Sequence, residues 1–234
     1  MTTALAAGAT LVALAFAACL YERWLARRRP QELAWTVALV LFAAGSGALW
    51  TGAALGWDPP TFRAFYYFGA VANVPVLALG TLYLLLPRRR ADLVAAGVAL
   101  AVAFAGGVLA VAPLTGVVSG DALPWGSEVF GVLPRVLAAV ASGLGATVVF
   151  AGAAWSGVRL LRGRATRRLA AGNALLALGT LVLSASGLLN SVADEMQAFA
   201  ISLTAGITVL FAGFLVTTTG AGTERAARPL RRVA

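Results

Sequence analysis

The sequence predicts an all-α fold: a polytopic membrane bundle of seven transmembrane helices, N-terminus outside and C-terminus inside. Three observations carry this. The first is composition: 60% of the 234 residues are apolar and 12% charged, against about 45–50% and about 25% in a soluble domain. The second is the length of the apolar runs. A span needs roughly 20 apolar residues to cross about 30 Å of hydrocarbon, and seven runs qualify, near 3–20, 33–56, 62–86, 93–112, 133–158, 169–190 and 197–218. The third is charge placement. All 18 basic residues are Arg, and alternating the seven spans puts every one of them except Arg63 and Arg135 at one end. Basic residues in short loops stay cytoplasmic, which sets the orientation.

Each span follows from these rules. The first opens on uncharged "MTTALAAG" and is followed by "YERWLARRRP". A cleaved signal peptide carries its charge before the apolar run, so this is a first helix inserted N-terminus out. The second contains "AGSGA" (44–48). The third contains "FGAVANVPVLALG" (68–80), where Asn73 and Pro75 interrupt an otherwise apolar helix. The fourth is bare of polar groups. The loop after it, 113–135, carries Pro, Gly, Trp125, Asp121 and Glu128 and is expected to fold onto the bundle as an outer cap. The sixth holds Asn173 and ends at Asn190, Asp194 and Glu195; the seventh precedes a basic tail. Domain organisation is therefore one seven-helix domain over 1–218 and a short cytoplasmic tail over 219–234. Trp24, Trp35 and Trp155 fall near one set of ends and Trp50, Trp57 and Trp125 near the other, the levels amphipathic indoles prefer.

What is missing excludes chemistry. There is no His, which removes His-ligated haem and zinc and His-based acid–base catalysis. A single cysteine, Cys19, forms neither an intramolecular disulfide nor a two-Cys redox pair. Ser46, between glycines, lacks an evident activating base. The expectation is of no enzyme, no cofactor and no metal. The net charge of +9 implies contact with anionic lipid headgroups at the cytoplasmic face, not with nucleic acid, which needs a basic face on a soluble surface.

Small residues recur every fourth position: Ala44, Ala48, Gly52 and Gly56; Ala95, Ala99, Ala103 and Gly107; Ala198, Ser202 and Gly206. Such rows let helices approach closely in lipid. They are expected at bundle contacts, with homodimerisation as a second use. The halves also match. A shift of 134 lays Ala64-Phe65 on Ala198-Phe199, and after a one-residue gap Val76-Leu77 meets Val209-Leu210 and Gly80 meets Gly213. Spans one to three would then repeat as five to seven, a 3+1+3 parallel duplication.

"AGNALLALGTLVLSASGLLNS", "QAFAISLTAGITVLFAGFLV" and "FRAFYYFGAVANVPVLALGTLYLL" resemble an uncharacterised seven-helix integral membrane family of high-GC actinobacteria, which implies the fold and no activity. The 3+1+3 layout is similar to the SWEET transporters in architecture only; Pro75 has no counterpart in the seventh span, so no SWEET binding residue is carried over.

The candidate solute pathway is Asn73, Pro75, Arg63, Tyr66, Tyr67, Asp194 and Glu195. An amide near mid-bilayer must face protein or a cavity. Pro75 deprives the carbonyl four residues earlier, at Val71, of its donor, and a neighbouring Ser, Thr or water is expected to replace it. If bundle packing brings Arg63 near Asp194 or Glu195, an outer-rim salt bridge or a charged vestibule results. The function expected is a small-solute transporter or permease of the cytoplasmic (inner) membrane; the alternative is a non-transporting sensor, ligand-binding or accessory protein.

Overall fold

A computed structural model of the chain describes residues 2–120, 123–162, 171–172, 174–176, 178–183 and 196–227. Among the described residues the fold is helical without strands, and an isolated antiparallel bridge joins Leu114 to Phe130. The elements are α1 (Thr2–Arg27), α2 (Pro30–Leu55), α3 (Pro59–Phe65), a π-helical turn (Tyr66–Ala72), α4 (Asn73–Leu85), α5 (Arg88–Val111), the short α6 (Gly126–Val129) and α7 (Val132–Arg162). The apolar stretch α8 (Ala174–Leu183) and α9 (Met196–Ala227) follow.

Among the described residues, six helical runs are long and apolar enough to cross a membrane: Thr2–Arg27, Pro30–Leu55, Pro59–Leu85, Arg88–Val111, Val132–Ser156 and Ala198–Val216. This is a multi-pass membrane protein. The remaining expected span, 169–190, lies largely outside the described residues. Its described part, α8, is a shorter apolar helix. The helix of α9 continues to Ala227, so the first half of the expected tail extends the last span.

The helices start where local chemistry places them. Pro30 supplies the preset φ of a first helical residue, and Glu32 adds negative charge to the same turn. Asp58 caps α3, its carboxylate accepting from the Thr61 N–H at 2.8 Å. Those Thr61 hydrogen bonds hold the Asp58 carboxyl below its ordinary value. A lowered folded-state value means that its stabilisation is present above the ordinary carboxylate range and lost as pH falls through the lowered one.

Two cores form. One joins α1, α2 and α9, with Phe16 stacked 5.1 Å from Phe211 and packed 4.9 Å from Phe214. Polar contacts add to it. The Thr10 hydroxyl donates to Ser46 Oγ at 2.9 Å, and Thr204 donates to the Leu5 carbonyl at 2.9 Å. Ser46 is thus a contact between spans, worth about 0.6–2 kcal/mol in lipid. The other core is aromatic. Phe62 lies between Trp57, Phe65, Tyr66 and Phe130, and the loop after α5 closes over it through buried Val118 and Val129. The loop is tied down by the Trp57 N–H on the Gly120 carbonyl and the Thr115 N–H on the Val129 carbonyl. Its residues Val118, Val129 and Phe130 share the core cluster of Phe62.

Burial refines three expectations. Trp57, between the end of α2 and the start of α3, is 3% exposed; Gly52 leaves the slot it fills, since a Cβ there would meet the indole ring at 2.5 Å. On α2 the buried line is Phe42, Gly45, Ser46, Leu49 and Gly52, with Ala44 and Ala48 half-exposed. On α5 the row is largely exposed, as its second use between copies would need: Ala99, Ala103 and Gly107 are exposed, and nothing lies within 4 Å of a Cβ on Gly107.

Candidate functional site

The interruption predicted at Asn73 and Pro75 is a change of helical register. From Tyr66 to Ala72 the backbone is π-helical, and α-helix resumes at Asn73. In a π turn each N–H reaches back five residues in place of four. The carbonyl facing the donor that Pro75 lacks is therefore Val71 in the α register and Ala70 in the π register. Ser142 Oγ, on α7, donates to the Ala70 carbonyl at 2.5 Å. A hydroxyl of a neighbouring span thus meets a carbonyl of this turn, one residue before the Val71 carbonyl that the α register assigns to Pro75.

Packing pins this joint from both sides. A Cβ on Gly45 of α2 would lie 3.0 Å from the Gly69 nitrogen, so those two backbones touch. A Cβ on Gly145 of α7 would lie 2.9 Å from the carbonyl carbon and oxygen of Val74. No rotamer relieves a clash with backbone. Gly145→Ala is expected to push α7 away, lengthening the Ser142–Ala70 bond and costing about 1–3 kcal/mol. Denaturation midpoints in detergent, with hydrogen exchange over residues 70–76, would check it; unchanged exchange there would count against the clamp.

Asn73 lies within the span Pro59–Leu85, fourteen residues after its start and twelve before its end. Its side chain is half-buried and makes no hydrogen bond to another described residue.

Among the described residues, Arg63 is held by backbone carbonyls and an aromatic ring. Its guanidinium donates to the Leu109 carbonyl and, at 2.7 Å, to the Ala112 carbonyl, and sits 5.9 Å over the Phe130 ring. Those carbonyls belong to the unsatisfied C-terminal end of α5, where positive charge is favoured. Asp194 and Glu195 lie outside the described residues. Tyr66 packs 4.9 Å from Phe130 under the loop. Tyr67 donates to the Val102 carbonyl at 3.3 Å and lays its ring on Gly106. Arg63 and Tyr67 line one cleft of ≈ 680 Å³ between α3 and α5, and a second of ≈ 380 Å³ lies between the end of α5 and the start of α7. Asn73 lines neither.

One polar pair was not singled out in the sequence. Glu32, 3% exposed, accepts from Arg23 Nη2 at 3.4 Å. Arg23 also sits 5.1 Å over the Phe214 ring, so the pair joins α1, α2 and α9. Arg23 Nε and Glu32 Oε2 are buried without hydrogen-bond partners among the described residues. The available signal was an acidic residue at the edge of an apolar span, three positions after the last of three arginines.

No protein-family model, no curated protein and no solved structure matches this chain. Its function is therefore argued from its residues and their geometry.

Proposed function

We propose that the chain is a small-solute transporter or permease of the cytoplasmic (inner) membrane, N-terminus outside and C-terminus inside, built as seven spans with a 3+1+3 parallel duplication. The observation that carries this reading is the joint in the third span. A π turn, a proline and an amide without a hydrogen-bond partner among the described residues fall together near the middle of Pro59–Leu85. A polar group at that depth is costly unless it meets water or solute, and a turn with two registers is a natural moving part. The pathway runs from the Arg-poor end, past Tyr66 and Asn73, to the Arg-rich face, where the arginines meet anionic headgroups. Asp194 and Glu195 remain proposed members of its outer mouth, while Arg63 acts there as a cap on α5.

Proteoliposomes shrunk osmotically with glycerol, ribose, xylose or glycine test it. Wild-type vesicles are expected to re-swell faster than empty ones for at least one solute, and Asn73→Leu to return the rate to the empty-vesicle value. Wild-type vesicles no faster than empty ones, and unaffected by Asn73→Leu, would overturn the reading.

One observation favours the alternative, a non-transporting accessory or ligand-binding protein. The α5 row Ala99, Ala103 and Gly107 is exposed, a surface on which a second copy or another membrane helix would pack closely.

A further inference from the structure

The cleft between α3 and α5 opens sideways, toward the surroundings of the bundle. Pro59 and Pro60 stand at its rim, and on the opposite wall Ala103 and Ala110 are exposed. Only 11% of the apolar window of α5 is buried, so in a bilayer this cleft faces acyl chains. Its volume of ≈ 680 Å³ falls within the roughly 300–1,000 Å³ of pockets that enclose small amphiphiles.

Its polarity is graded. Arg63 sits four residues, about 6 Å, below the start of α3, and Tyr67 lies one turn deeper. Tyr67 spends its hydroxyl on the Val102 carbonyl and so offers the cleft its ring. The facing wall is Ala103, Gly106 and Ala110, which are small and apolar. A charged rim above an apolar floor matches a molecule with an ionic head and a hydrocarbon tail.

The sign of the head follows from Arg63. Among the described residues its hydrogen bonds are the two to carbonyls, which leave three of its five N–H donors and its full charge. Guanidinium binds phosphate in a planar, forked geometry. The nearest carboxylate in sequence, Asp58, is occupied by Thr61 and does not line the cleft.

We infer that this cleft seats an anionic phospholipid drawn from the bilayer, its phosphate against Arg63 and one acyl chain along Ala103, Gly106 and Ala110. It lies at the Arg-poor end, away from the arginine clusters whose headgroup contacts follow from composition alone. It stands independently of the transport reading, because no flux enters its test.

The experiment uses the full chain in nanodiscs with equal trace amounts of phosphatidylglycerol or phosphatidylcholine carrying a photoreactive acyl chain. Adducts are mapped by mass spectrometry. Phosphatidylglycerol is expected to label residues 103–110 about fivefold more than phosphatidylcholine, the ratio one basic residue near an anionic lipid supports. Arg63→Gln is expected to abolish that preference. Ala103→Phe, which leaves Arg63 and its carbonyl bonds in place, is expected to remove both labels from this stretch. Equal labelling by the two lipids in the wild type, a preference that survives Arg63→Gln, or labelling that survives Ala103→Phe would each overturn the proposal. Excess inorganic phosphate that erased the preference would overturn it too, showing a site for the free anion.

Discussion

Arg23→Met is expected to destabilise the detergent-solubilised protein by about 3–5 kcal/mol, the cost of leaving one member of a buried ion pair uncompensated. The two partners are not equivalent. The Glu32 side chain is 4% exposed and the Arg23 side chain 30%. Removing Arg23 strands a carboxylate that cannot reach water. Removing Glu32 strands a guanidinium that can, because a long basic side chain snorkels. Glu32→Leu should therefore cost clearly less than Arg23→Met. The double variant should recover most of the loss, since an apolar pair of similar volume often matches a buried ion pair. Unfolding midpoints of the four proteins in a denaturing-detergent titration give the cycle. Equal losses in the two single variants, or a double variant no better than Arg23→Met, would refute this account of the pair.

Phe62→Ala carries the second large effect. Phe62 is 1% exposed, stacks on Phe130 at 5.5 Å and meets Trp57 edge-on at 6.0 Å. A truncated core Phe costs about 3–5 kcal/mol in water-soluble proteins. Helices that separate within lipid keep an apolar solvent, so the cavity left behind dominates and a loss of about 3 kcal/mol is expected. It should be local as well as global. Phe130 and Val118 rest on the same cluster, so residues 113–135 should become more open to proteases added to folded protein. Phe104→Ala, at a side chain 62% exposed, supplies the comparison and should stay within about 0.5 kcal/mol of wild type. A Phe62→Ala chain with a wild-type midpoint and an intact loop would show that the aromatic cluster does not hold the cap.

Much of the architecture was legible because lipid imposes it. A span must be long, apolar and internally hydrogen-bonded, and six helices carry those marks in the described residues. The break at Asn73 and Pro75 was legible for the same reason: each violates a rule that lipid enforces, whereas the Ser142 hydroxyl on the Ala70 carbonyl follows from a register the sequence does not announce. Facing was not legible. In a soluble helix polarity marks the outside, but a membrane helix can be apolar all round, so the row Ala99, Ala103 and Gly107 reads alike whether it meets a neighbour or lipid. The partners of Arg63 were hidden differently. They are backbone carbonyls at Leu109 and Ala112, which carry no side-chain signature. Glu32 was hidden in a charge tally, where one acid beside four arginines looks like a rim residue until its burial is seen.

The π turn has a bearing on ancestry. Ten residues separate Phe65 from Val76, while nine separate Phe199 from Val209. The longer stretch contains the π turn, and the shorter is unbroken α-helix. If the two halves descend from one three-helix unit, a single inserted codon accounts for both differences. One residue added to an α-helix rephases everything downstream by about 100°, which would swing Gly80 off the Trp35 indole it receives and Thr81 off Gly152. Absorbing the newcomer as a local bulge spares those contacts. Proline and amide would then mark the place where one copy departed from its twin, and α9 would preserve the older form of the span.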